Sequence, residues 1–146
     1  MERILIVDDD ITFGLMLKTW LSKKGFGTQT AASAAAARTA LAEGGFSLVL
    51  SDMRLPDEDG IALLQWMSGQ RIEVPVIVMT SYAEIQNAVR SMKLGARDYV
   101  AKPVNPDELL KKIREALEAA AAPENSEPAV RPERGARGRE GGPCGP

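Results

Sequence analysis

The sequence contains no histidine, and this absence removes several kinds of catalytic site. Ser-His-Asp triads, zinc sites of the HExxH type and histidine general bases all need the imidazole ring. Any chemistry of the chain therefore rests on carboxylates, lysine, hydroxyls or a bound ion. Its one cysteine, Cys144, excludes an internal disulfide framework and fits a reducing, cytoplasmic environment.

Long apolar runs and a strong net charge are missing as well. No apolar run approaches the length that spans a bilayer, and the apolar start of the chain is too short for a secretory signal. We therefore expect no membrane segment. The formal net charge is −2, so the overall charge of the chain does not indicate nucleic-acid binding. What is present is a 146-residue chain with 45% hydrophobic and 26% charged residues, the composition of a globular domain.

Short apolar runs alternate with helical patterns up to about residue 120. The strand candidates are 4–7, 28–30, 47–50, 74–79 and 98–100. The helix candidates are 11–24, 33–43, 60–69, 83–93 and 106–121. Five strands alternating with five helices predict an α/β fold, a doubly wound parallel sheet with helices on both faces. Right-handed crossovers favour the strand order 2-1-3-4-5, with the second and fifth strands at the edges.

The end of the chain differs in composition from the rest. Residues 122–146 are rich in Pro, Gly, Glu and Arg, and they have too few large apolar side chains to offset the entropy of ordering. We expect a folded domain over residues 1–121 and a disordered tail or linker over 122–146. The acids interleaved with the arginines argue against a nucleic-acid-binding arm.

Functional residues of a doubly wound fold collect where the parallel strands end. The polar residues at the predicted strand ends are Asp8, Asp9, Asp10, Asp52, Thr80 and Lys102. Carboxylates from two strands form a hard-oxygen site suited to Mg²⁺. A carboxylate beside such an ion can attack phosphorus, while a lysine and a hydroxyl bind the phosphoryl oxygens. The pattern thus predicts phosphoryl transfer onto an aspartate, with Asp10 serving as a helix cap.

Two further stretches shape this predicted site. In "SDMRLPDEDGIALL", Pro56 and Gly60 form a turn between Asp52 and the next helix. In "AKPVNPDELL", Lys102 precedes Pro103, and a tight turn of this kind is a plausible place for a cis peptide bond.

Over about residues 1–120 the chain resembles the receiver domain of two-component response regulators, which has a flavodoxin-like fold. The resemblance rests on the acid pair after the first strand, the D-x-x-L-P-x-x-x-G stretch at Asp52, Thr80, Tyr99 and the Lys102-Pro103 pair. It implies that Asp52 accepts a phosphoryl group from a sensor histidine kinase. It also implies that Asp8, Asp9, Asp52 and the backbone carbonyl of Arg54 are the Mg²⁺ ligands. Thr80 and Tyr99 would be the switch pair, and Lys102 would bind the phosphoryl oxygens.

The resemblance also implies a signalling domain rather than an enzyme, with self-catalysed phosphoryl transfer and autodephosphorylation only. The stretch "SDMRLPDEDG" is most similar to the corresponding stretch in receivers of the nitrogen-regulator class, which act in transcription regulation. The output domains of that class are not in this sequence, so we do not expect this chain to bind nucleic acid directly. We expect either a stand-alone receiver or a fragment. A homodimer would use the face of the fourth helix, fifth strand and fifth helix.

Two other interpretations stay open at this stage. "RILIVDDDIT" also fits D-x-D-x-T, the nucleophile motif of haloacid-dehalogenase-like phosphatases, with Asp8 as nucleophile and Asp10 as acid/base. That interpretation leaves Asp52 and its Leu-Pro-Gly turn unexplained, and it lacks a later acidic pair. The other alternative is an adaptor that keeps the receiver fold without phosphorylation. Replacement of Asp52 by Asn distinguishes the three.

Overall fold

Strands and helices alternate along residues 2–121, the part of the chain that the computed structural model describes. The strands are β1 (Arg3–Val7), β2 (Gly27–Ala31), β3 (Leu48–Asp52), β4 (Val76–Thr80) and β5 (Asp98–Ala101). The helices are α1 (Ile11–Lys23), α2 (Ala34–Glu43), α3 (Gly60–Gly69), α4 (Ile85–Lys93) and α5 (Pro106–Ala121). The tail predicted over 122–146 lies outside the described residues.

All five strands form one parallel sheet in the order β2-β1-β3-β4-β5, which confirms the predicted topology and both edge strands. Val7 at the end of β1 lies opposite Ser51 of β3, and Thr80 at the end of β4 lies opposite Ala101 of β5. The carboxyl ends of four neighbouring strands are therefore level with one another, and the residues that follow them share one edge.

The central strands are buried on both faces, as their continuous apolar runs predict. Leu5 and Val49 face one side of the sheet, where they pack with residues of α2 and α3. Ile4 and Leu50 face the other side, where they pack with residues of α1 and α5. Alternate side chains of the same strands thus fill two hydrophobic clusters, and the sheet between them is a rigid platform for the residues at its edge.

Helix termini follow local signals in the sequence. Asp10, Ser33 and Asp59 cap α1, α2 and α3, each with a side-chain oxygen that accepts a backbone N–H three residues later. Asn105 accepts from the backbone N–H of Glu108 in the same way. Within residues 2–121, none of the helices is both long enough and apolar enough to cross a membrane.

The start of the fourth helix differs from the prediction. The pattern favours a helix from residue 83, whereas a short 3₁₀ turn occupies Tyr82–Glu84 and α4 begins at Ile85. Glu84 has a backbone φ of −110° and ψ of 12°, outside the α-helical region, and its side chain makes no cap bond to the helix. A contact made elsewhere by that carboxylate, described below, explains why periodicity alone places the boundary wrongly.

Candidate functional site

An acidic cluster occupies the edge where β1 and β3 end. Asp8 and Asp9 follow β1, and Asp52 is the last residue of β3. One carboxylate oxygen from each lies within 4.8 Å of the others. Asp8 is buried, Asp52 is partly buried and Asp9 is exposed, so the cluster opens to solvent on one side. The structure brings together the three side chains that the sequence predicts as metal ligands.

The predicted lysine reaches into this cluster from the end of β5. The Lys102 Nζ lies 2.9 Å from Asp8 Oδ2 and 3.3 Å from Asp52 Oδ2. It also lies 4.7 Å from the centroid of the Phe13 ring, so its position is supported from α1. The backbone N–H of Lys102 donates to the Thr80 carbonyl at 2.6 Å, and the Lys102-Pro103 peptide bond is cis.

The donor set fits a divalent, oxygen-preferring cation. Three carboxylates and one ammonium give the cluster a formal excess of two negative charges when all four groups are charged. Such a set of hard oxygens with one open side matches Mg²⁺, which retains several waters when bound. Asp8, Asp9 and Asp52 would hold the ion, and the Arg54 carbonyl named by the family resemblance lies in the loop directly after Asp52.

Burial and charge shift the ionisation of the central pair. Burial raises the pKa of the Asp52 carboxyl, the negative charge of Asp8 raises it further, and Lys102 opposes both. Burial acts to lower the pKa of Lys102, but its hydrogen bond to Asp8 and the charge of Asp52 outweigh this, so the pKa of Lys102 is raised. Lys102 is therefore a cation, and it lies beside Asp52, whose carboxyl has a raised pKa and ionises less readily than usual.

Asp8 and Asp10 have structural partners that define their roles. Asp8 Oδ1 accepts the backbone N–H of Asp10 at 2.9 Å, and its other oxygen accepts from Lys102. Asp10 caps α1 by accepting the backbone N–H of Phe13 at 3.1 Å, as the sequence predicts. Asp8 is buried and Asp10 is held at a helix start, which disfavours the nucleophile and acid/base roles of a haloacid-dehalogenase-like site.

The predicted switch residues lie on β4 and β5, the strands that follow β3 in the sheet. Thr80 is fully buried at the end of β4, and its hydroxyl donates to the carbonyl of Ser81 at 3.1 Å. Tyr99 on β5 is partly buried against the core cluster that includes α2, α3 and α4 residues. The Lys112 Nζ on α5 lies 2.7 Å from the Tyr99 carbonyl and 5.5 Å from the centroid of its ring. The structure thus places Thr80 and Tyr99 on adjacent strands, with the tyrosine held by a lysine from α5.

The loop after Asp52 is closed by backbone contacts. The Gly60 N–H donates to the Met53 carbonyl at 2.8 Å, and Arg54 pairs with Asp59 as an antiparallel bridge. A Cβ atom on Gly60 would lie 2.8 Å from the backbone oxygen of Asp52. Glycine is therefore required here because the helix start approaches the Asp52 backbone closely, which explains the predicted turn role of this residue.

Two contacts of this loop escape sequence reasoning. Asp57 accepts the backbone N–H groups of Ala34 and Ala35, both at 2.9 Å, and these bonds lower the pKa of its carboxyl. Arg54 pairs with Glu84 across 30 positions of sequence, and this hydrogen bond is the main reason that the pKa of Glu84 is lowered. Because both contacts join segments far apart in the chain, a local signal exists for neither of them.

Comparisons with known proteins agree with this geometry. A family model described as "Response regulator receiver domain" matches residues 4–114. The transcriptional regulatory protein GltR of Pseudomonas aeruginosa is 41% identical over 121 residues, which is 82% of this chain and 50% of that protein. The regulatory protein AtoC of Escherichia coli is 41% identical over 117 residues, which is 80% of this chain and 25% of that protein.

Solved structures show the same fold. A response regulator receiver domain protein from Clostridium thermocellum superposes with a TM-score of 0.79 at 28% identity, covering 82% of this chain and 97% of that one. A CheY-like receiver domain protein from Methanospirillum hungatei gives 0.77 at 39% identity, covering 82% and 95%. The chain spans about half of GltR and a quarter of AtoC, so it corresponds to one part of each of these two regulators.

Proposed function

The chain belongs to the response regulator receiver domain family of two-component systems, and from this premise we propose that Asp52 accepts a phosphoryl group from a sensor histidine kinase. The observation that carries the proposal is the position of the Lys102 Nζ between Asp8 and Asp52 within a three-carboxylate cluster. This arrangement supplies a nucleophile, a cation for the incoming oxygens and a set of ligands for a metal ion. The domain that carries it occupies residues 1–121.

Exposure favours Asp52 over Asp8 as the nucleophile. The Asp8 side chain is 1% exposed, whereas the Asp52 side chain is 14% exposed. A phosphoryl donor must approach in line from solvent, which Asp52 permits. In the transfer, a carboxylate oxygen of Asp52 forms a bond to phosphorus, and the bond from phosphorus to the kinase imidazole nitrogen breaks with its electron pair returning to the ring.

The neighbouring residues assist the transfer. Mg²⁺ held by Asp8, Asp9, Asp52 and the carbonyl of Arg54 would offset the repulsion between two anions. Lys102 binds a phosphoryl oxygen as a point charge. The Thr80 hydroxyl is the second donor to the phosphoryl oxygens. The chemistry is limited to self-catalysed transfer and later hydrolysis of the acyl phosphate.

The response to phosphorylation uses Thr80 and Tyr99. The phosphoryl group carries about two negative charges where the free carboxylate carries one, and the Thr80 hydroxyl turns to it from the Ser81 carbonyl. Tyr99 then moves into the space that Thr80 leaves. The face of α4, β5 and α5 repacks and binds a partner or a second copy of the chain. Exposure of Val89 (46%) and Met92 (37%) on α4 supports this part of the proposal.

The cellular role is proposed from the relatives. GltR and AtoC are described as regulatory proteins, the former as transcriptional, and this chain matches only part of each. We infer a cytoplasmic role in transcription regulation in which this chain receives the signal and does not itself contact nucleic acid.

Phosphoryl uptake tests the proposal. The protein is incubated with acetyl phosphate and Mg²⁺, and its mass is followed beside that of Asp52→Asn, while a generic phosphatase substrate reports hydrolysis. We expect the wild type to gain one phosphoryl group and the variant to gain none. Hydrolysis of the substrate that persists in the variant would favour an Asp8-dependent phosphatase. No uptake by the wild type would favour an adaptor.

A further inference from the structure

The contact between Arg54 and Glu84 links the loop after β3 to the segment before α4. Arg54 Nε donates to Glu84 Oε1 at 2.6 Å, and its Nη2 donates to the same oxygen. The other carboxylate oxygen of Glu84 accepts from Asn87 Nδ2 at 2.6 Å. Both donors on the Nε–Nη2 edge of the Arg54 guanidinium therefore bind the Glu84 carboxylate.

The two partners are unequally exposed. The Arg54 side chain is 79% exposed, whereas the Glu84 side chain is 11% exposed. They lie on the rim of a polar cavity of about 420 Å³ between the β3–α3 loop and the start of α4. The arginine can therefore leave without crossing packed atoms, but its departure would leave a largely buried carboxylate without a cationic partner.

The same arginine stands next to the phosphoacceptor. Its backbone N–H lies 3.5 Å from Asp52 Oδ1, so the side chain starts at the site and turns away from it toward α4. Guanidinium groups bind phosphate oxygens through paired N–H donors, and the Nε–Nη2 edge used for Glu84 is suited to this. A phosphoryl group on Asp52 would carry about two negative charges, against one on the Glu84 carboxylate.

We propose that Arg54 is a positioning residue that exchanges Glu84 for the phosphoryl group on Asp52. This inference rests on the proposed phosphorylation of Asp52. The released Glu84 carboxylate turns to the backbone N–H groups at the start of α4, a helix that has no side-chain cap. The exchange thus forms a second connection from the phosphoacceptor to α4, separate from Thr80 and Tyr99.

The test uses the beryllofluoride anion with Mg²⁺, a stable mimic of the acyl phosphate. Glu84→Gln removes the competing charge, so we expect beryllofluoride to bind about two- to fivefold more tightly, the size of one exposed ion pair. In an Arg54→Gln background, Glu84→Gln should change nothing. Glu43→Gln, an exposed acid at the end of α2, is the matched control and should behave as the wild type.

An NMR measurement of the Arg54 guanidinium in the wild-type protein gives a second test, which does not depend on whether the variants fold. The ¹⁵N–¹H resonance of Arg54 Nε, assigned by its loss in Arg54→Lys, should shift in the wild type when beryllofluoride saturates Asp52. An unshifted resonance, or weaker or unchanged binding in a folded Glu84→Gln, would overturn the exchange. Failure of the wild type to bind beryllofluoride would instead contradict the phosphorylation of Asp52 itself.

Discussion

Asp8 and Asp52 are the same residue type on neighbouring strands, yet their surroundings give them different chemistry. Asp8 is enclosed, with one oxygen on a backbone N–H and the other on Lys102. Asp52 is more exposed and has a raised pKa caused by burial and by the charge of Asp8. A cation beside Asp52 favours its charged form, so ion binding at the cluster would increase the ionised fraction of the proposed nucleophile.

Gly60 is predicted to be the most sensitive position of the loop. In Gly60→Ala the new Cβ would lie 2.8 Å from the Asp52 backbone oxygen, and backbone atoms on both sides would have to move. We expect the free energy of unfolding to fall by about 1–3 kcal/mol, the usual cost of overpacking, with a loss of phosphoryl uptake. Denaturant unfolding measures the first effect and intact mass the second.

Gly69→Ala is the control for this substitution. Gly69 ends the same helix, and a Cβ there would meet no atom within 4 Å. Equal stability of the two alanine variants would show that the close approach at Gly60 does not constrain the loop.

The site residues divide into those that the sequence predicts and those that it does not. Asp8, Asp52 and Lys102 are predictable because each directly follows or ends a buried strand, and parallel topology brings such positions together. The partners of Arg54 and Asp57 are not predictable, because they depend on how a loop folds back onto segments 22 to 30 positions away. Local periodicity carries no information about such contacts.

At the scale of elements, the β3–α3 loop is fastened to two helices. Asp59 caps α3, the helix that follows the loop, by accepting the backbone N–H of Ala62. Asp57 accepts two N–H groups at the start of α2, a helix that precedes β3. The second attachment holds the segment containing Arg54 against the body of the domain, so it positions the carbonyl proposed as a metal ligand.

Asp57→Ala should loosen this attachment in a pH-dependent way. Hydrogen bonds from Ala34 and then Ala35 lower the pKa of Asp57 below its ordinary value of 3.8 in the folded state. The resulting stabilisation is present above that value and is lost as the pH falls through the folded-state pKa. At neutral pH we expect faster amide hydrogen exchange at Ala34 and Ala35 and a lower free energy of unfolding.

The charge dependence of this effect has its own control. Asp57→Asn retains an acceptor but not the charge, so it should lie between the wild type and the alanine variant. The difference between the wild type and Asp57→Ala should shrink as the pH falls below 3.8. Exchange at Ala34 and Ala35 that is unchanged at neutral pH would contradict the account.

The elements themselves follow closely from the sequence. The central strands are continuous apolar runs buried on both faces, and the caps at Asp10, Ser33 and Asp59 are local hydrogen bonds. A few neighbouring residues are therefore enough to predict both features. The start of α4 cannot be predicted in this way, because Glu84 binds Arg54 instead of capping the helix. Where a tertiary contact competes with a local one, the boundary moves.

At the scale of the whole molecule, the topology collects the chemistry at one edge and leaves the remaining surface for partners. The proposed connections from that edge, one through Thr80 and Tyr99 and one through Arg54 and Glu84, both lead to α4. This helix is short, begins after a 3₁₀ turn and exposes apolar side chains. The exposed apolar side chains make α4 the part of the proposed α4, β5 and α5 face on which both connections act.

The most direct test of the central claim is to locate the phosphoryl group on the chain. The protein is phosphorylated by acetyl phosphate with Mg²⁺, the acyl phosphate is reduced with borohydride, and the modified residue is identified by peptide mass mapping. The account predicts reduction at Asp52, with Asp8 and Asp9 unchanged, and no reduction product when Mg²⁺ is chelated. Modification at Asp8, or incorporation that does not depend on Mg²⁺, would contradict it.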